Sequence, residues 1–303
     1  MHDVEILTQA LPYIREHRGK TFLLKFGGAL VDDKDALRSL AKDVSLLVNV
    51  GIRICVVHGG GPQATALAGR LGLEPQFVEG RRVTDEETLE VAKMVFAGKI
   101  NLEVLGALRG EGLRAVGLTG VSGDLIHAQR RPPREYRDEA TGTLRVVDMG
   151  HVGDIVDVDT RLLRELMDTG HVPVVASLAA DREGNVLNVN ADTVATRLAI
   201  DLKADKLMLL SDVDGVLRDP RDPSTLIGSI SAREIEELIA DGTIGKGMIP
   251  KVRNAVDAAR SGVARVHVLN GEKPHTLLLE LFTKVGAGTL ITRSEEHERY
   301  LKE

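Results

Sequence analysis

Short apolar runs rich in β-branched residues alternate along the chain with longer segments whose apolar positions recur at helical spacing. Six of the short runs predict strands, at Thr21–Phe26, Ile52–Val57, Arg114–Leu118, Val172–Ala176, Asp205–Leu210 and Ala264–Leu269. Six of the longer segments predict helices, at Lys34–Val50, Asp85–Arg109, Asp159–Thr169, Asp192–Asp201, Ser231–Asp241 and Met248–Ser261. This alternation is typical of an α/β fold in three layers, a sandwich with helices on both faces of a central, mostly parallel sheet. In such folds ligands bind at the carboxyl ends of the strands.

Two segments depart from this alternation. A helix is predicted before the first strand, with an apolar face formed by Val4, Leu7, Leu11 and Ile14. Pro12 is expected to kink or shorten that helix. The second segment, Asp124–Asp148, holds two short strand-like runs around a polar middle with prolines. We expect it to be an exposed hairpin, and the alternative is a flap over a substrate.

Composition narrows the class of protein. The chain has 303 residues, 43% of them hydrophobic, which is enough for one large domain or two lobes. Its net charge of -6 and the absence of Trp argue against a nucleic-acid or membrane-surface binder. Cys55, the single cysteine, lies in an apolar strand-like run and is expected to be a buried core residue. Because one cysteine allows no disulfide within the chain, we expect a reducing cytoplasm.

The first two predicted strands both end in glycine-rich loops. "KFGG" spans Lys25–Gly28, and "VVHGGGPQA" places Gly59–Gly61 before Pro62, which suits the first residue of a helix. Bare backbone N–H groups near a helix N-terminus bind anions such as carboxylate or phosphate, and a lysine beside them adds a positive charge. The alternative is that these glycines only supply turns.

Two other kinds of nucleotide site were compared with these loops. Gly59, Gly61 and Ala64 match part of a dinucleotide-binding fingerprint, so a nicotinamide oxidoreductase is a rival. That rival expects an acidic residue at the end of a second strand, and Glu79 stands near the right distance in a loop-like segment. A Walker-type phosphate loop is not matched, because Ile14 stands where its first glycine should be.

Four further stretches carry polar residues where strands end or helices begin. They are "EGRRVTD" with Arg81, Arg82 and Thr84, "NVLNVNAD" with Asn188, Asn190 and Asp192, "LMLLSDVDGV" with Ser211, Asp212, Asp214 and Gly215, and "GKGMIPKV" with Lys246 and Lys251. Thr84 is predicted to be a helix N-cap with Glu87 three residues on. An arginine at that entrance is suited to grip a carboxylate, and its alternative is a solvated loop residue. For the other stretches the alternatives are caps, turns and solvated helix lysines.

Taken together and in this order, these motifs resemble the amino acid kinase family, and within it the branch that phosphorylates N-acetylglutamate. The resemblance covers nearly the whole chain. It implies transfer of a phosphoryl group from ATP to the side-chain carboxylate of N-acetyl-L-glutamate, in arginine biosynthesis. It also implies that Mg2+ is held mainly by ATP phosphates and water, without a dedicated metal site on the protein.

The resemblance also implies roles for individual residues. The catalytic group would be Lys25, Lys251 and Asp192, with Asp192 organising the two lysines. The substrate-binding group would be Gly27, Gly28, Gly60, Gly61, Arg82, Asn188 and Asn190. The ATP-binding group would be Ser211, Asp212, Gly215, Lys246 and Met248.

Family members inhibited by arginine resemble this chain at both ends. Matching positions make His267, Glu280, Gly286 and Tyr13 candidates for binding L-arginine as an inhibitor. Such proteins associate as hexamers through the helix before the first strand, so a homohexamer built as a trimer of dimers is expected. The implied division is residues 1–20 for oligomerisation, 21–180 for the N-acetylglutamate-binding lobe, and 181–303 for the ATP-binding lobe with the regulatory segment.

The chemistry implied by the resemblance agrees with the residue types in the motifs. A carboxylate with an ordinary pKa near ~4.3 is already ionised at neutral pH, so the acceptor requires no general base. The obstacle is that one anion must approach another, which lysines, backbone N–H groups and Mg2+ would offset. The alternatives are a sibling kinase acting on aspartate, glutamate, carbamate or a nucleoside monophosphate, the nicotinamide oxidoreductase, and a non-catalytic arginine sensor.

Overall fold

The computed structural model describes residues 2–137, 143–219, 221–245, 247–294 and 297. Within these ranges the helices are α1 (His2–His17), α2 (Gly28–Asp32), α3 (Lys34–Asn49), α4 (Gly61–Arg70), α5 (Glu86–Ala92), α6 (Asn101–Gly110), α7 (Arg161–Asp168), α8 (Ala191–Leu202), α9 (Ala232–Ala240), α10 (Ile249–Arg260) and α11 (Thr276–Phe282). The strands are β1 (Thr21–Phe26), β2 (Arg53–His58), β3 (Phe77–Val78), β4 (Arg81–Arg82), β5 (Ala115–Thr119), β6 (Ile126–Arg130), β7 (Arg134–Arg137), β8 (Leu144–Val147), β9 (Gly153–Val158), β10 (Val172–Ala176), β11 (Leu178–Ala180), β12 (Val186–Asn188), β13 (Lys206–Ser211), β14 (Ser229–Ser231), β15 (Arg265–Asn270) and β16 (Thr289–Thr292).

A central sheet of eight strands runs through the molecule in the order β14-β16-β15-β13-β1-β2-β10-β5. Every neighbouring pair is parallel except β15 and β16, so the predicted mostly parallel sheet is confirmed. The six predicted strands are all present. Four of them begin one residue later than predicted, and β1 and β10 have the predicted bounds.

Alternate residues of the central strands face two separate apolar cores. On β1, Phe22 and Leu24 pack with apolar residues of α2 to α6 and α11 on one face. Leu23, between them, packs on the other face with residues of α7 to α10. Burial on both faces requires a strand that is apolar throughout, which is why the central strands show no alternation of polar and apolar positions. The predicted three-layer sandwich is therefore confirmed.

The segment predicted to be an exposed hairpin, Asp124–Asp148, is only partly one, and that prediction was wrong for its first half. β6 lies in a second, four-stranded sheet of order β12-β11-β6-β9, where Ile126 and Ala128 are fully buried. Only β7 and β8 form an antiparallel hairpin of their own. The first half pairs with β9, which follows the hairpin in the sequence and was not predicted.

The predicted N-terminal helix is present as α1, but it is not shortened at Pro12. Pro12 is exposed, so water can reach the backbone groups that the missing N–H leaves without a helical bond. His17, in the last turn, contacts α11 through Nε2, 3.1 Å from Leu281 O. No helix within the described ranges is both long enough and apolar enough to cross a membrane.

The long predicted helix Asp85–Arg109 is continuous but irregular, because Lys93–Ile100 between α5 and α6 is π-helical. Its N-cap is Asp85, whose side chain accepts from Thr88 N at 2.9 Å, so the prediction of Thr84 as the cap was wrong. Thr84 is instead extended and fully buried. Cys55 is also fully buried, and burial raises the pKa of its thiol to about 12, as expected for a core residue.

Candidate functional site

The carboxyl ends of several parallel strands meet at one edge of the central sheet, where they border a cleft of about 270 Å³. Its walls are formed by Lys25, Gly27, Gly28, Gly59, Gly60, Gly61, Pro62, Phe77, Gly80, Arg81, Arg82, Phe96, Arg131, Val152, Ser177, Asn188, Val189, Asn190, Ala191 and Asp192. The volume lies just below the ~300–1,000 Å³ of pockets for drug-sized ligands, so it suits a small metabolite. Nine of the predicted site residues lie in this wall.

Lys25 and Asp192 form an ion pair at the bottom of the cleft. Lys25 Nζ lies 2.6 Å from Asp192 Oδ1, and the two side chains are 11% and 20% exposed. Lys25 comes from β1, and Asp192 from the first turn of α8. A carboxylate in the first turn of a helix is stabilised by the helix dipole, so it is available to orient an ammonium group.

Lys251 reaches the same region from α10. Its Nζ donates to Ser211 Oγ and lies 3.7 Å from the carboxylate of Asp212. Burial lowers the pKa of Lys251, the carboxylate of Asp212 opposes that shift, and the charge of Lys25 adds to it. The charge of Lys25 thus acts on Lys251, while a joint catalytic role of the two lysines stays a prediction.

Two of the loop glycines are required by the protein's own packing. A Cβ on Gly28 would lie 2.0 Å from Gln63 Oε1, and Gln63 Nε2 donates to Gly28 O at 2.7 Å. A Cβ on Gly60 would lie 2.3 Å from Ile100 Cδ1 and 2.7 Å from Phe96 Cδ1. At these positions the backbone can approach its neighbours only without a side chain.

Gly27 and Gly61 have no such requirement. A Cβ at either position would meet no protein atom within 4 Å, and neither residue has a positive φ. Both border the cleft, so a side chain there would occupy the space of a ligand. Bare backbone at these points suits phosphate oxygens, because they can then lie on the N–H groups at the start of α2 and α4. The cradle therefore fits the phosphates of a nucleotide.

Arg82 is a half-buried cation with spare hydrogen-bonding capacity. Its Nη2 donates to Gly61 O at 3.0 Å and to Thr65 Oγ1 at 2.7 Å, while its guanidinium carbon lies 4.8 Å above the ring of Phe77. Its Nη1 is buried without a hydrogen-bond partner, and burial lowers its pKa. A buried donor without a partner is costly, and a bound carboxylate would satisfy it.

The two asparagines of the predicted substrate group differ in their contacts. Asn188 Nδ2 donates to Thr84 Oγ1 at 3.0 Å, which leaves its carbonyl oxygen for a ligand. Asn190 caps α8, since its Oδ1 accepts from Asp192 N at 2.9 Å and from Thr193 N at 3.1 Å. Asn190 lies in the cleft wall, but that oxygen is already used.

Among the residues assigned to the nucleotide, Ser211, Asp212, Gly215 and Met248 are not part of the cleft wall. Ser211 Oγ donates to Asp212 Oδ1 at 2.8 Å at the end of β13. Gly215 has a φ of 152°, and a Cβ there would lie 2.5 Å from Thr289 Oγ1, so packing alone requires this glycine. Met248 packs against an apolar core, and Lys246 lies outside the described residues.

A buried histidine supports the second glycine loop from below. His58 Nδ1 donates to Gly59 O at 3.1 Å, and its Nε2 accepts from Asn101 Nδ2 at 3.0 Å. Asn101 Nδ2 also donates to Val174 O at 3.1 Å. Both ring nitrogens of the neutral histidine therefore form hydrogen bonds. Through Asn101, they connect the glycine loop to α6 and to β10.

Three of the predicted regulatory residues form a second cluster. His267 Nδ1 lies 2.6 Å from Glu280 Oε1, and a Cβ on Gly286 would lie 2.9 Å from Glu280 Oε2. Glu280 Oε2 accepts from the backbone N–H groups of the two residues after Gly286, at 2.6 and 3.1 Å. His267 Nε2 is buried without a partner. Tyr13 lies on α1, the helix that contacts α11.

Several cleft residues were not predicted from the sequence. They include Phe77, Phe96, Arg131, Val152 and Ser177 in the cleft wall, together with Gln63, which lies outside that wall and holds Gly28. Gln63 stands in a quoted motif and could have been found there, since a polar residue on the first turn of a helix after a glycine loop faces that loop. Arg131 was overlooked because its segment was expected to be exposed.

Residues 20–270 match the Amino acid kinase family. An acetylglutamate kinase of Methanocaldococcus jannaschii is 47% identical over 289 residues, which are 95% of this chain and 96% of that protein. An acetylglutamate kinase of Methanothermobacter thermautotrophicus is 44% identical over 292 residues, 96% of this chain and 100% of that protein. Among solved structures, N-acetylglutamate synthase from Neisseria gonorrhoeae, in complex with coenzyme A and N-acetyl-glutamate, matches with a TM-score of 0.82 and 33% identity. That match covers 96% of this chain and 63% of the synthase, so the chain spans less than two thirds of that longer protein.

We expect His58→Gln to weaken the dependence of stability on pH. Burial lowers the pKa of His58 to about 4, from an ordinary value of 6.5. Between these values the unfolded chain binds a proton that the folded protein does not, so the neutral histidine stabilises the fold above pH 6.5, and this stabilisation is lost as the pH falls towards 4. The full shift corresponds to about 3 kcal/mol.

Urea denaturation followed by circular dichroism, at several pH values from 4.5 to 7, measures this effect. The free energy of unfolding should fall less steeply on acidification in His58→Gln than in the wild type. His171→Gln, at a less buried position after α7, is the matched control and should keep the wild-type slope. Equal slopes in wild type and His58→Gln would contradict the buried neutral state.

Proposed function

The chain belongs to the amino acid kinase family, and from this premise we propose that it transfers the γ-phosphoryl group of ATP to the side-chain carboxylate of N-acetyl-L-glutamate. The products are N-acetylglutamyl 5-phosphate and ADP, a step of arginine biosynthesis. One observation carries the proposal: the wall of the cleft holds both the Lys25–Asp192 pair and the unpartnered Nη1 of Arg82.

An acceptor with two carboxylates matches two different cationic residues in the cleft wall, Lys25 and Arg82. The side-chain carboxylate would approach Lys25 and the glycine loops, where the phosphoryl group is transferred. The α-carboxylate would accept from Arg82 Nη1, and the amide of the acetyl group would donate to the carbonyl oxygen of Asn188. The curated relatives that match nearly the whole chain carry the name acetylglutamate kinase, which supports this acceptor.

The reaction needs no proton transfer from the acceptor, because its carboxylate is ionised at neutral pH. An oxygen of that carboxylate forms a bond to the γ-phosphorus as the bond from that phosphorus to the bridging β,γ-oxygen breaks, and ADP leaves with the electron pair. Negative charge spreads over the transferring phosphoryl group. The protein therefore contributes position and positive charge.

The contacts support the following catalytic roles. Lys25 and Lys251 would neutralise phosphate oxygens from two sides, and Asp192 would hold Lys25 in place. Gly27 and Gly61 would let phosphate oxygens lie on the backbone, while Gly28 and Gly60 keep the loops in shape. Each group fixed before the reaction lowers the entropic part of the barrier.

We further propose that Ser211, Asp212, Gly215, Lys246 and Met248 border the ATP pocket. Mg2+ bound to the ATP phosphates would supply additional neutralising charge. Within the described ranges no three His, Cys, Asp or Glu side chains are grouped so that they could hold a metal ion. That Mg2+ is held mainly by phosphates and water stays a prediction.

The rival functions are less well supported. Glu79, the acidic residue that a dinucleotide site would need, has a φ of 48° in the turn between β3 and β4 and does not end a long strand. A sibling kinase with another acceptor would keep the lysines and differ around Arg82 and Asn188. A non-catalytic arginine sensor would not need Lys25, Asp192 and Lys251 together.

We also propose that L-arginine inhibits the enzyme by binding at His267, Glu280 and Gly286, with a contribution from Tyr13. His267 Nδ1 faces a carboxylate and is the donor of that pair, so its unpartnered Nε2 is left to accept from a cationic ligand.

A homohexamer joined through α1, a cytoplasmic location and the division into residues 1–20, 21–180 and 181–303 belong to the same proposal. Leu11, 45% exposed on α1, is available for such a contact.

A coupled assay with ATP, Mg2+ and N-acetyl-L-glutamate tests the function directly. We expect wild-type turnover, and in Lys25→Ala and Lys251→Ala a turnover lower by at least about tenfold, or roughly 1.4 kcal/mol of barrier. Lys42→Ala, at an exposed position of α3, is the control. An inactive wild type, or near-normal turnover in both folded variants, would refute the assignment. Aspartate, glutamate and carbamate in the same assay separate the sibling kinases.

Arg82→Ala should act mainly on the acceptor. The variant loses the proposed partner of the α-carboxylate, so we expect the Michaelis constant for N-acetyl-L-glutamate to rise at least about tenfold. The Michaelis constant for ATP should rise less than the one for N-acetyl-L-glutamate, because Arg82 contacts the second glycine loop only through the carbonyl oxygen of Gly61. Arg70→Ala, an exposed arginine at the end of α4, serves for comparison. An unchanged acceptor constant would remove Arg82 from the carboxylate site.

Glu280→Ala should weaken inhibition by arginine. The variant removes the carboxylate that we propose as the partner of the inhibitor's cationic groups, so the arginine concentration for half-inhibition should rise at least about tenfold. Turnover without arginine, measured in the same experiment, is the baseline. If millimolar arginine neither binds to the wild type nor inhibits it, the regulatory proposal fails while the kinase proposal stands.

A further inference from the structure

Arg131 is a buried cation in the cleft wall that the proposed reaction does not use. Its side chain is 8% exposed, and it borders the same cleft as Arg82 and Asn188. It lies directly after β6 and before Pro132, a position at which the backbone is restricted to extended conformations. Its N–H donates to Val152 O at 2.8 Å. The backbone that carries this side chain is therefore fixed from both sides.

The register of neighbouring segments places Arg131 near the proposed acceptor residues. Val152, its backbone partner, forms a parallel bridge with Asn188, and Asn188 N donates to His151 O at 2.8 Å. Adjacent segments in such a ladder lie about 4.8 Å apart, so Arg131 is roughly 10 Å, or two spacings, from Asn188. Asn188 in turn contacts Thr84, two residues after Arg82. Arg131, Asn188 and Arg82, which all border the cleft, are therefore carried by neighbouring hydrogen-bonded segments of backbone.

The charge of Arg131 is only partly neutralised. Its Nε and Nη2 lie 3.0 and 2.5 Å from Asp154 Oδ1, and Arg134 Nη2 lies 2.9 Å from Asp154 Oδ2. Burial opposes the charged form of Arg131, but hydrogen bonding and attraction from Asp154, together with a side-chain hydrogen bond to Tyr136, outweigh it, and the pKa of Arg131 is raised. Two guanidinium groups share one carboxylate, which leaves an excess of positive charge in this part of the wall.

Holding Asp154 does not explain the burial of Arg131. Arg134 contacts the same carboxylate with a side chain that is 55% exposed. An exposed ion pair of that kind needs no desolvated cation, whereas taking a guanidinium out of water is expensive. A buried cation that borders a cleft is explained when a ligand in the cleft carries the opposite charge.

We propose that Arg131 is a specificity-determining residue. In an acceptor with two carboxylates, its guanidinium and that of Arg82 together recognise the carboxylate that does not receive the phosphoryl group. This inference rests on the proposed function and adds a second cation to the acceptor site. A monocarboxylic acceptor leaves Arg82 Nη1 without a partner and the charge that Arg131 shares with Arg134 only partly neutralised, so the cleft selects against it.

A comparison of two acceptors tests this role. N-acetyl-L-glutamate carries both carboxylates, and 4-acetamidobutanoate has the same chain and acetamido group without the α-carboxylate. Arg131→Gln should lower kcat/KM for N-acetyl-L-glutamate at least about tenfold, the effect of one charged hydrogen bond, and lower that for 4-acetamidobutanoate less than about twofold. Where turnover of the monocarboxylate is too slow to follow, its inhibition constant against N-acetyl-L-glutamate gives the same comparison.

Arg134→Gln is the matched control, because it removes a guanidinium from the same Asp154 carboxylate without removing one from the cleft. It should leave the preference between the two acceptors as in the wild type. If Arg131→Gln does not fold, as judged by circular dichroism, Arg131→Lys keeps the charge but loses the planar fork, and should weaken N-acetyl-L-glutamate selectively.

Equal losses for both acceptors would show a structural role for Arg131 and overturn the inference, as would wild-type behaviour in the variant. Either result with an active wild type leaves the proposed function intact. A wild type that does not phosphorylate N-acetyl-L-glutamate would overturn the proposed function and this inference together.

Discussion

The ammonium groups of Lys25 and Lys251 lie in the same region at one edge of the sheet. The attraction of the Asp192 carboxylate for both of them offsets their mutual repulsion. Like charges in a partly buried site repel strongly because little water screens them. Lys25 is held 2.6 Å from Asp192, whose charge also acts on Lys251 against burial. Asp192 can do this because Asn190 caps α8 and fixes its first turn. β1 and β13 are neighbours in the sheet and α8 packs on α10, which brings together the elements that carry these groups.

The glycines around this charge fall into two classes, and only the structure separates them. Gly28 and Gly60 are glycine because the side chains of Gln63, Phe96 and Ile100 occupy the space of a Cβ. Gly27 and Gly61 have open space and ordinary backbone angles, so protein packing does not require them. A glycine with free space beside a cleft indicates that a ligand approaches the backbone there. From sequence all of them look alike, since a motif shows the absence of side chains and not its cause.

Much of the fold could be predicted because the central strands are buried on both faces and read as continuous apolar runs. The prediction failed where pairing is between distant segments. From the sequence, β6 was expected to be half of an exposed hairpin. It pairs instead with β9, which follows the hairpin, and no local sequence pattern indicates that partner. Arg131 was missed with β6, because a residue beside two prolines in a polar stretch gives no sign of burial. Asp85 replaced Thr84 as the helix cap for a similar reason, since Thr84 pairs with a distant strand segment at Gly150.

The protein as a whole is negatively charged, yet its cleft wall holds guanidinium groups that its own carboxylates do not fully neutralise. Arg82 leaves a buried donor without a partner, and Arg131 shares Asp154 with Arg134. Such groups destabilise the fold when the cleft holds only water, and sites of this kind persist where function requires them. An acceptor with two negative charges would give Arg82 Nη1 a partner and would neutralise Arg131 further. Part of its binding free energy would therefore come from removing unfavourable interactions of the free protein. Selectivity for a second carboxylate would then follow from the placement of these two guanidinium groups in the cleft wall.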